Sequence, residues 1–247
     1  MKKRELVATF DHELTARDGR LILRRYVDLP KLIDFLRTGE LYLRQAARFE
    51  DLLEGTLPEQ LRRSAKELIG DPSILEKRNR ERTYLSCWTV GRRDNMALWK
   101  LYGGATQSVA MTTTIKRMTK VAPSWGAYGN VEIRKVRYVN FAGRRLPNGV
   151  YGHGKDLFTL KHIAYSFERE VRVVLTRSVS KRRRAAPAAI RVPIDIDQFL
   201  RSIVVSPEAE NWFFDLVTDI ARRYNVSAPV RRSELTRLLD RARLLGR

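Results

Sequence analysis

Phe167-Glu168-Arg169-Glu170-Val171-Arg172-Val173-Val174-Leu175 decides how this chain is read. Phe167, Val171, Val173 and Leu175 fall at alternate positions, so the stretch reads as a strand with those four on one face. The other face then carries Glu168, Glu170 and Arg172 in a row. Carboxylates at i and i+2 of a strand stand about 7 Å apart, and their repulsion calls for a cation or a ligand. Two readings follow from the residues. Arg172 neutralises both acids in a surface ladder, or the acids serve chemistry on a sugar or a metal.

Residues 155–166, just before this strand, read as a helix, and Asn130–Phe141 as one long strand. Upstream, 4–10 and 20–26 read as strands. Asp28 caps a helix that holds Pro30 in its first turn and stops at Gly39. Residues 58–82 are mostly helical and highly charged, with a break at Gly70-Asp71-Pro72. Thr83–Val90 and Ser108–Thr113 are strands, and Asn95–Tyr102 is a short helix with Leu98, Trp99 and Tyr102 on one side. Downstream come a basic loop, Lys181-Arg182-Arg183-Arg184, strands over 189–194 and 203–206, a helix over 208–223, a last strand near 228–232 and a helix over 233–245. Strands and helices do not alternate regularly, so the class is α+β. The chain reads as one domain, 1–247, with 56–82 as a candidate helical insertion.

The 48 Lys and Arg against 28 Asp and Glu give a net charge of +20. Guanidinium groups make paired hydrogen bonds to phosphate oxygens, so a nucleic acid or another polyanion is an expected partner. Lys181, Arg182, Arg183 and Arg184 are the candidate phosphate contacts. No long apolar run exists, so no membrane span is expected. The single cysteine, Cys87, excludes an internal disulfide and any multi-cysteine zinc site. A cytoplasmic location is the default expectation. No metal is expected, since His12, His153 and His162 stand apart from one another. Asp51, Glu54, Glu168 and Glu170 leave a Mg²⁺-dependent nuclease as an alternative. No glycine elbow surrounds Ser86 or Cys87.

Several pieces in order resemble a large bacterial domain-of-unknown-function family, number twenty-nine seventy-one. Arg25-Tyr26 with the helix after it matches the family's aromatic strand end. Phe49-Glu50-Asp51-Leu52-Leu53-Glu54-Gly55 looks like its Phe-Asn-Asp-Pro-x-Glu-Gly box, with Glu50 for Asn and Leu52 for Pro. Leu85-Ser86-Cys87-Trp88-Thr89 and Leu98-Trp99-Lys100-Leu101-Tyr102 follow, then Glu168-Arg169-Glu170-Val171-Arg172. Ile203-Val204-Val205-Ser206-Pro207 and Val230-Arg231-Arg232-Ser233-Glu234-Leu235 close the series.

That order is in turn similar to ADP-ribosyltransferases of the arginine–serine–glutamate type. The resemblance implies mixed, mainly antiparallel sheets forming a cleft, flanked by helices, with NAD as substrate. It implies Glu170 and Glu168 as catalytic acids, with Ser86 between the Arg and Glu elements, although Cys87-Trp88 breaks the expected spacing. Arg24 or Arg25 would hold the pyrophosphate, and Tyr26, Trp99 or Tyr102 the nicotinamide. A nucleic-acid acceptor would suit the charge, and a toxin or antiphage effector is the implied role. A non-catalytic nucleic-acid-binding protein is the other alternative.

Overall fold

The computed structural model describes residues 14, 16–104, 106–143, 156–178 and 186–244. The strands are β1 (Ile22–Asp28), β2 (Glu40–Gln45), β3 (Thr83–Val90), β4 (Ser108–Thr114), β5 (Asn130–Lys135), β6 (Arg137–Val139), β7 (Leu160–His162), β8 (Glu170–Thr176), β9 (Ala189–Pro193), β10 (Ser202–Val205) and β11 (Val230–Arg232). The class is mixed α+β, as expected, with mainly antiparallel pairing. The chain divides into two compact units. One gathers Tyr42–Cys87 and Ala122–Val192, the other Ala16–Leu41, Trp88–Val121 and Pro193–Arg247.

In the second unit β1 lies between β4 and the end of β3, both antiparallel to it. β4 continues to β10, and β11 joins β10 in parallel. Phe199 sits under this sheet, edge-on to Trp88 at 5.6 Å and tilted against Phe35 at 6.3 Å. The helix Leu29–Thr38 follows its sequence signals. Asp28 accepts from Lys31 N–H, Pro30 occupies the first turn, and Gly39 closes the last turn on Phe35 O at φ 62°. Leu32, Phe35 and Leu36 are its buried face.

In the first unit β8 pairs with β3 and β5, and β2 lies between β3 and β9. The helices Glu59–Ile69 and Pro72–Arg82 fill most of the expected insertion, and Asp71 caps the second through Ser73 N–H. Leu57, Leu85, Phe158 and Val174 form the core beside them.

Three expectations fail here, and all bear on the acids. Residues 155–166 are not a helix. They form a 3-10 turn over Asp156–Thr159, the short strand β7, and a second turn over Ile163–Glu168. The long strand expected over 130–141 is interrupted at Val136: β5 ends at Lys135 and β6 begins at Arg137, although Val136 N–H still bonds Glu170 O, which faces it across the β5–β8 register. The strand of the twin acids begins only at Glu170, because Arg169 takes a left-handed conformation at φ 48°. Phe167 is therefore outside the strand and 42 % exposed. The strand expected over 4–10 lies outside the described residues, as does the basic loop Lys181, Arg182, Arg183 and Arg184.

Candidate active site

Glu168 and Glu170 are not two rungs of one ladder. The left-handed Arg169 turns the chain between them, and both carboxylates converge on Lys161 of β7. Lys161 Nζ lies 2.8 Å from Glu170 Oε1 and donates also to Glu168. Glu170 Oε2 takes Arg172 Nε at 2.5 Å. Arg172 is wholly buried, and its remaining nitrogens form a two-toothed fork to Glu54 at 2.7 and 2.9 Å and a bond to Phe158 O. Arg172 thus answers Glu170 and Glu54, not Glu168 and Glu170 as a surface ladder would have it.

The sequence reading missed Lys161, because a supposed helix hid it. Its position nine residues before Glu170 carries no local signal. The Glu54 partner comes from the box at 49–55. Gly55 is required there: its φ is 70°, and a Cβ on it would stand 2.6 Å from Phe158 Cε1.

Burial raises the energy of every charge in this cluster, so the balance of partners sets each ionisation. Burial pushes Glu170 up, but Arg172, the Glu168 hydrogen bond and Lys161 bring it well below the usual carboxylate range. Burial pulls Lys161 down, and Glu170 and Glu168 overcome it and hold the ammonium above its ordinary value. For Glu54 burial wins, and its carboxyl is raised despite Arg172. Burial, with Glu170 next and Glu54 also contributing, pushes the Cys87 thiol up to about 12, so Cys87 is no nucleophile.

Cys87 and Leu85 share the apolar face of β3, so Ser86, 1 % exposed, projects from the other side. Ser86 and Cys87 therefore face opposite sides of β3, and Cys87 is the one of the two that feels Glu170, Arg172, Glu54 and Lys161. Glu54 and Glu170 give both of their oxygens to Arg172 and Lys161, and Glu168 gives one to Lys161. Among the described residues no group of three His, Cys, Asp or Glu is arranged to hold a metal ion.

These shifts fix a pH dependence. Glu170 is depressed when folded, so it contributes stability above its ordinary value of 4.5, lost as pH falls toward the folded value. Lys161 is raised, so its contribution is complete below 10.5 and is lost as pH rises through the folded value. Glu54, raised, has the opposite sign and offsets part of the acid loss. Urea midpoints measured across pH should form a plateau that falls on both sides, and Glu170→Gln should flatten the acid limb. An unchanged acid limb would show that Glu170 is not held ionised by the fold.

The second unit carries the arginine and aromatic candidates. Arg24, on β1, is 6 % exposed. It donates to Arg92 O, its Nε has no hydrogen-bond partner, and it makes no ion pair with an acid among the described residues. Arg25 is half-buried on the same strand. Tyr26, two residues beyond Arg24 and so on the same face, is held above its ordinary pKa by burial and feels the Arg24 charge.

The expected helix over 95–102 is one α-turn, Met96–Leu98, followed by a π-helical turn, Trp99–Gly103. Trp99 is fully enclosed, edge-on to Tyr26 with ring centroids 4.8 Å apart, and its Nε1 donates to Asp94. This corrects its place among nicotinamide contacts: it supports Tyr26 from inside the core and offers no free face. Tyr102 is on the outside, 51 % exposed.

No family model matches the chain, and no curated protein does. The resemblance drawn from the motif order therefore stands on its residues. Among solved structures, Thermus sp. 2.9 DarT in complex with NAD+ is similar at a TM-score of 0.41 and 10 % identity, over 86 % of this chain and 95 % of that one. The same protein with carba-NAD+ is similar at 0.41 and 13 % identity, over 87 % and 95 %. In complex with ADP-ribosylated ssDNA it is similar at 0.40 and 13 % identity, over 89 % and 95 %. No helix among the described residues is long and apolar enough to cross a membrane.

Proposed function

We propose that this protein is an NAD-dependent ADP-ribosyltransferase that modifies nucleic acid, in the role of a bacterial toxin or antiphage effector. One observation carries the reading. Arg24 is a buried guanidinium on the first described strand with an unpaired Nε and no acidic partner among the described residues. A buried charge without its counterion is costly, and an anionic ligand removes that cost. A pyrophosphate suits it, since a guanidinium offers paired donors to two phosphate oxygens.

Breaking the nicotinamide–ribose bond of NAD leaves a sugar cation like that of glycoside hydrolysis. Glu170, kept anionic, is the group assigned to stabilise that cation and to accept from the ribose hydroxyl. Glu168, joined to it through Lys161, is assigned to orient or deprotonate the acceptor. Tyr26 and the exposed Tyr102 are assigned to the nicotinamide ring. Arg25 takes a lesser part, and Lys181, Arg182, Arg183 and Arg184 are assigned to the acceptor's phosphates.

The test is to incubate the protein with NAD and with DNA, RNA or protein acceptors, following nicotinamide release and acceptor mass. Arg24→Lys keeps the charge but loses the paired donors, and should raise the NAD KM about tenfold or more. Intact NAD and unmodified acceptors throughout would rule the reading out.

A second reading is favoured by the closure of the acid cluster. Both Glu170 oxygens are already in ion pairs, and the residue is 6 % exposed. On that reading the cluster is a scaffold, and the charge of +20 serves non-catalytic nucleic-acid binding. Binding would then weaken steeply with salt while NAD stays intact.

A further inference from the structure

The C-terminal stretch Val230–Leu235 has no role in the chemistry just described, yet one of its side chains reaches the loop that aims Arg24. Ser233 is 2 % exposed and sits where β11 passes into the helix Glu234–Leu244. Its Oγ accepts from Leu235 N–H at 3.0 Å, as a helix cap does, and donates to Asp94 Oδ2. The same Asp94 oxygen accepts from Trp99 Nε1 at 3.0 Å. Asp94 is 9 % exposed.

The loop Gly91–Asn95 is pinned on every side. Gly91 N–H donates to Ile22 O at 3.0 Å, and Asn95 N–H donates to Tyr26 Oη at 3.2 Å. The Asn95 side chain caps the next turn through Ala97 N–H at 2.8 Å. Between these pins hangs the Arg92 carbonyl, which receives the Arg24 guanidinium. A flexible arginine gives up much rotamer freedom to hold one geometry. Here one carbonyl, two residues before a buried carboxylate that is itself held by Trp99 and Ser233, sets its direction.

We propose that Asp94 is the positioning residue for Arg24, and that Ser233 anchors Asp94. The proposal rests on Arg24 as the pyrophosphate group, but its geometric content does not. If the pair acts through Arg24, its removal loosens the guanidinium and weakens ligands that carry the pyrophosphate. Once Arg24 is gone, its removal should do nothing more.

Two measurements decide it, on Ser233→Ala and Asp94→Ala, with Ser233→Thr as the variant that keeps the hydroxyl. The first is NAD+ affinity by calorimetry, with and without Arg24→Gln. Each variant should weaken NAD+ about tenfold in the parent and leave it unchanged beside Arg24→Gln, from the loss of one charge-assisted contact. Ser233→Thr should bind as the parent does. The second is the Nε–H resonance of Arg24 in nitrogen-labelled protein, assigned by its loss in Arg24→Lys. It should shift or broaden in Ser233→Ala and stay in place in Ser233→Thr.

An unmoved resonance, or effects that add to Arg24→Gln, overturns the proposal. If the parent protein binds no NAD+, the transferase reading falls, while the resonance still decides the positioning. If Asp94→Ala fails to fold, Ser233→Ala carries both measurements.

Discussion

Glu54→Ala lowers the free energy of unfolding by about 3–5 kcal/mol, the size expected when one partner of a buried ion pair is removed. Urea titration of the intact protein is the check. The magnitude follows from what is left behind. Arg172 is fully buried, and Glu54 supplies two of its bonds at 2.7 and 2.9 Å. Without Glu54 the Nη2 nitrogen loses its acceptor, and Nη1 keeps only the Phe158 carbonyl while Nε keeps Glu170. Water has no ready path to a guanidinium at 0 % exposure, so the desolvation cost stays in full. A solvated surface pair would cost about 1 kcal/mol or less, and a loss that small would mean that Arg172 finds another partner.

The reverse deletion sharpens the argument. Arg172→Met strands the Glu54 carboxylate but leaves Glu170 with Lys161. Adding Glu54→Leu to Arg172→Met should therefore restore part of the loss, because it removes the stranded charge and fills the space with apolar volume.

The same cluster shows how far the sequence can be read. The helix Leu29–Thr38 was legible, because Asp28, Pro30 and Gly39 act through bonds made within a few residues. So was β8 from Glu170 onward as a strand, although both of its faces, and not the apolar one alone, are buried. The geometry of the acids was not legible. It turns on Arg169, a non-glycine residue at φ 48°, a conformation that no residue type there announces. Lys161 was hidden because the residues around it lack the alternation of a strand three residues long. Glu54 and Arg172 are 118 positions apart, and Asp94 and Ser233 are 139 apart. Glu54, Arg172 and Ser233 lay in motifs already noticed and Asp94 in none, and which side chains meet across such distances is a property of the packed chain. Trp99 shows the converse. Its spacing with Tyr102 suggested one aromatic side, but the π-helical turn sends Trp99 into the core and Tyr102 out.

Glu170→Gln should reduce kcat for nicotinamide release by about 10²–10³-fold and leave the NAD KM close to that of the parent. The substitution conserves shape and keeps an oxygen to accept from the ribose hydroxyl, so ground-state binding changes little. What it removes is the negative charge, which matters only when the sugar becomes cationic. Lys161 and Arg172 keep Glu170 ionised, so the charge is in place before the bond breaks. That preorganisation has a cost, since the same cations draw on the field that the sugar would feel. Lys161 is bonded to both acids and lies over the Tyr165 ring at 4.6 Å. Arg172 is fixed by its bonds to Glu54 and Phe158. Gel filtration and circular dichroism of Glu170→Gln separate lost catalysis from lost fold. Parent-like turnover in a folded Glu170→Gln protein removes Glu170 from the chemistry. A large loss of stability in Glu170→Gln, in a parent protein that leaves NAD intact, assigns the cluster to the scaffold.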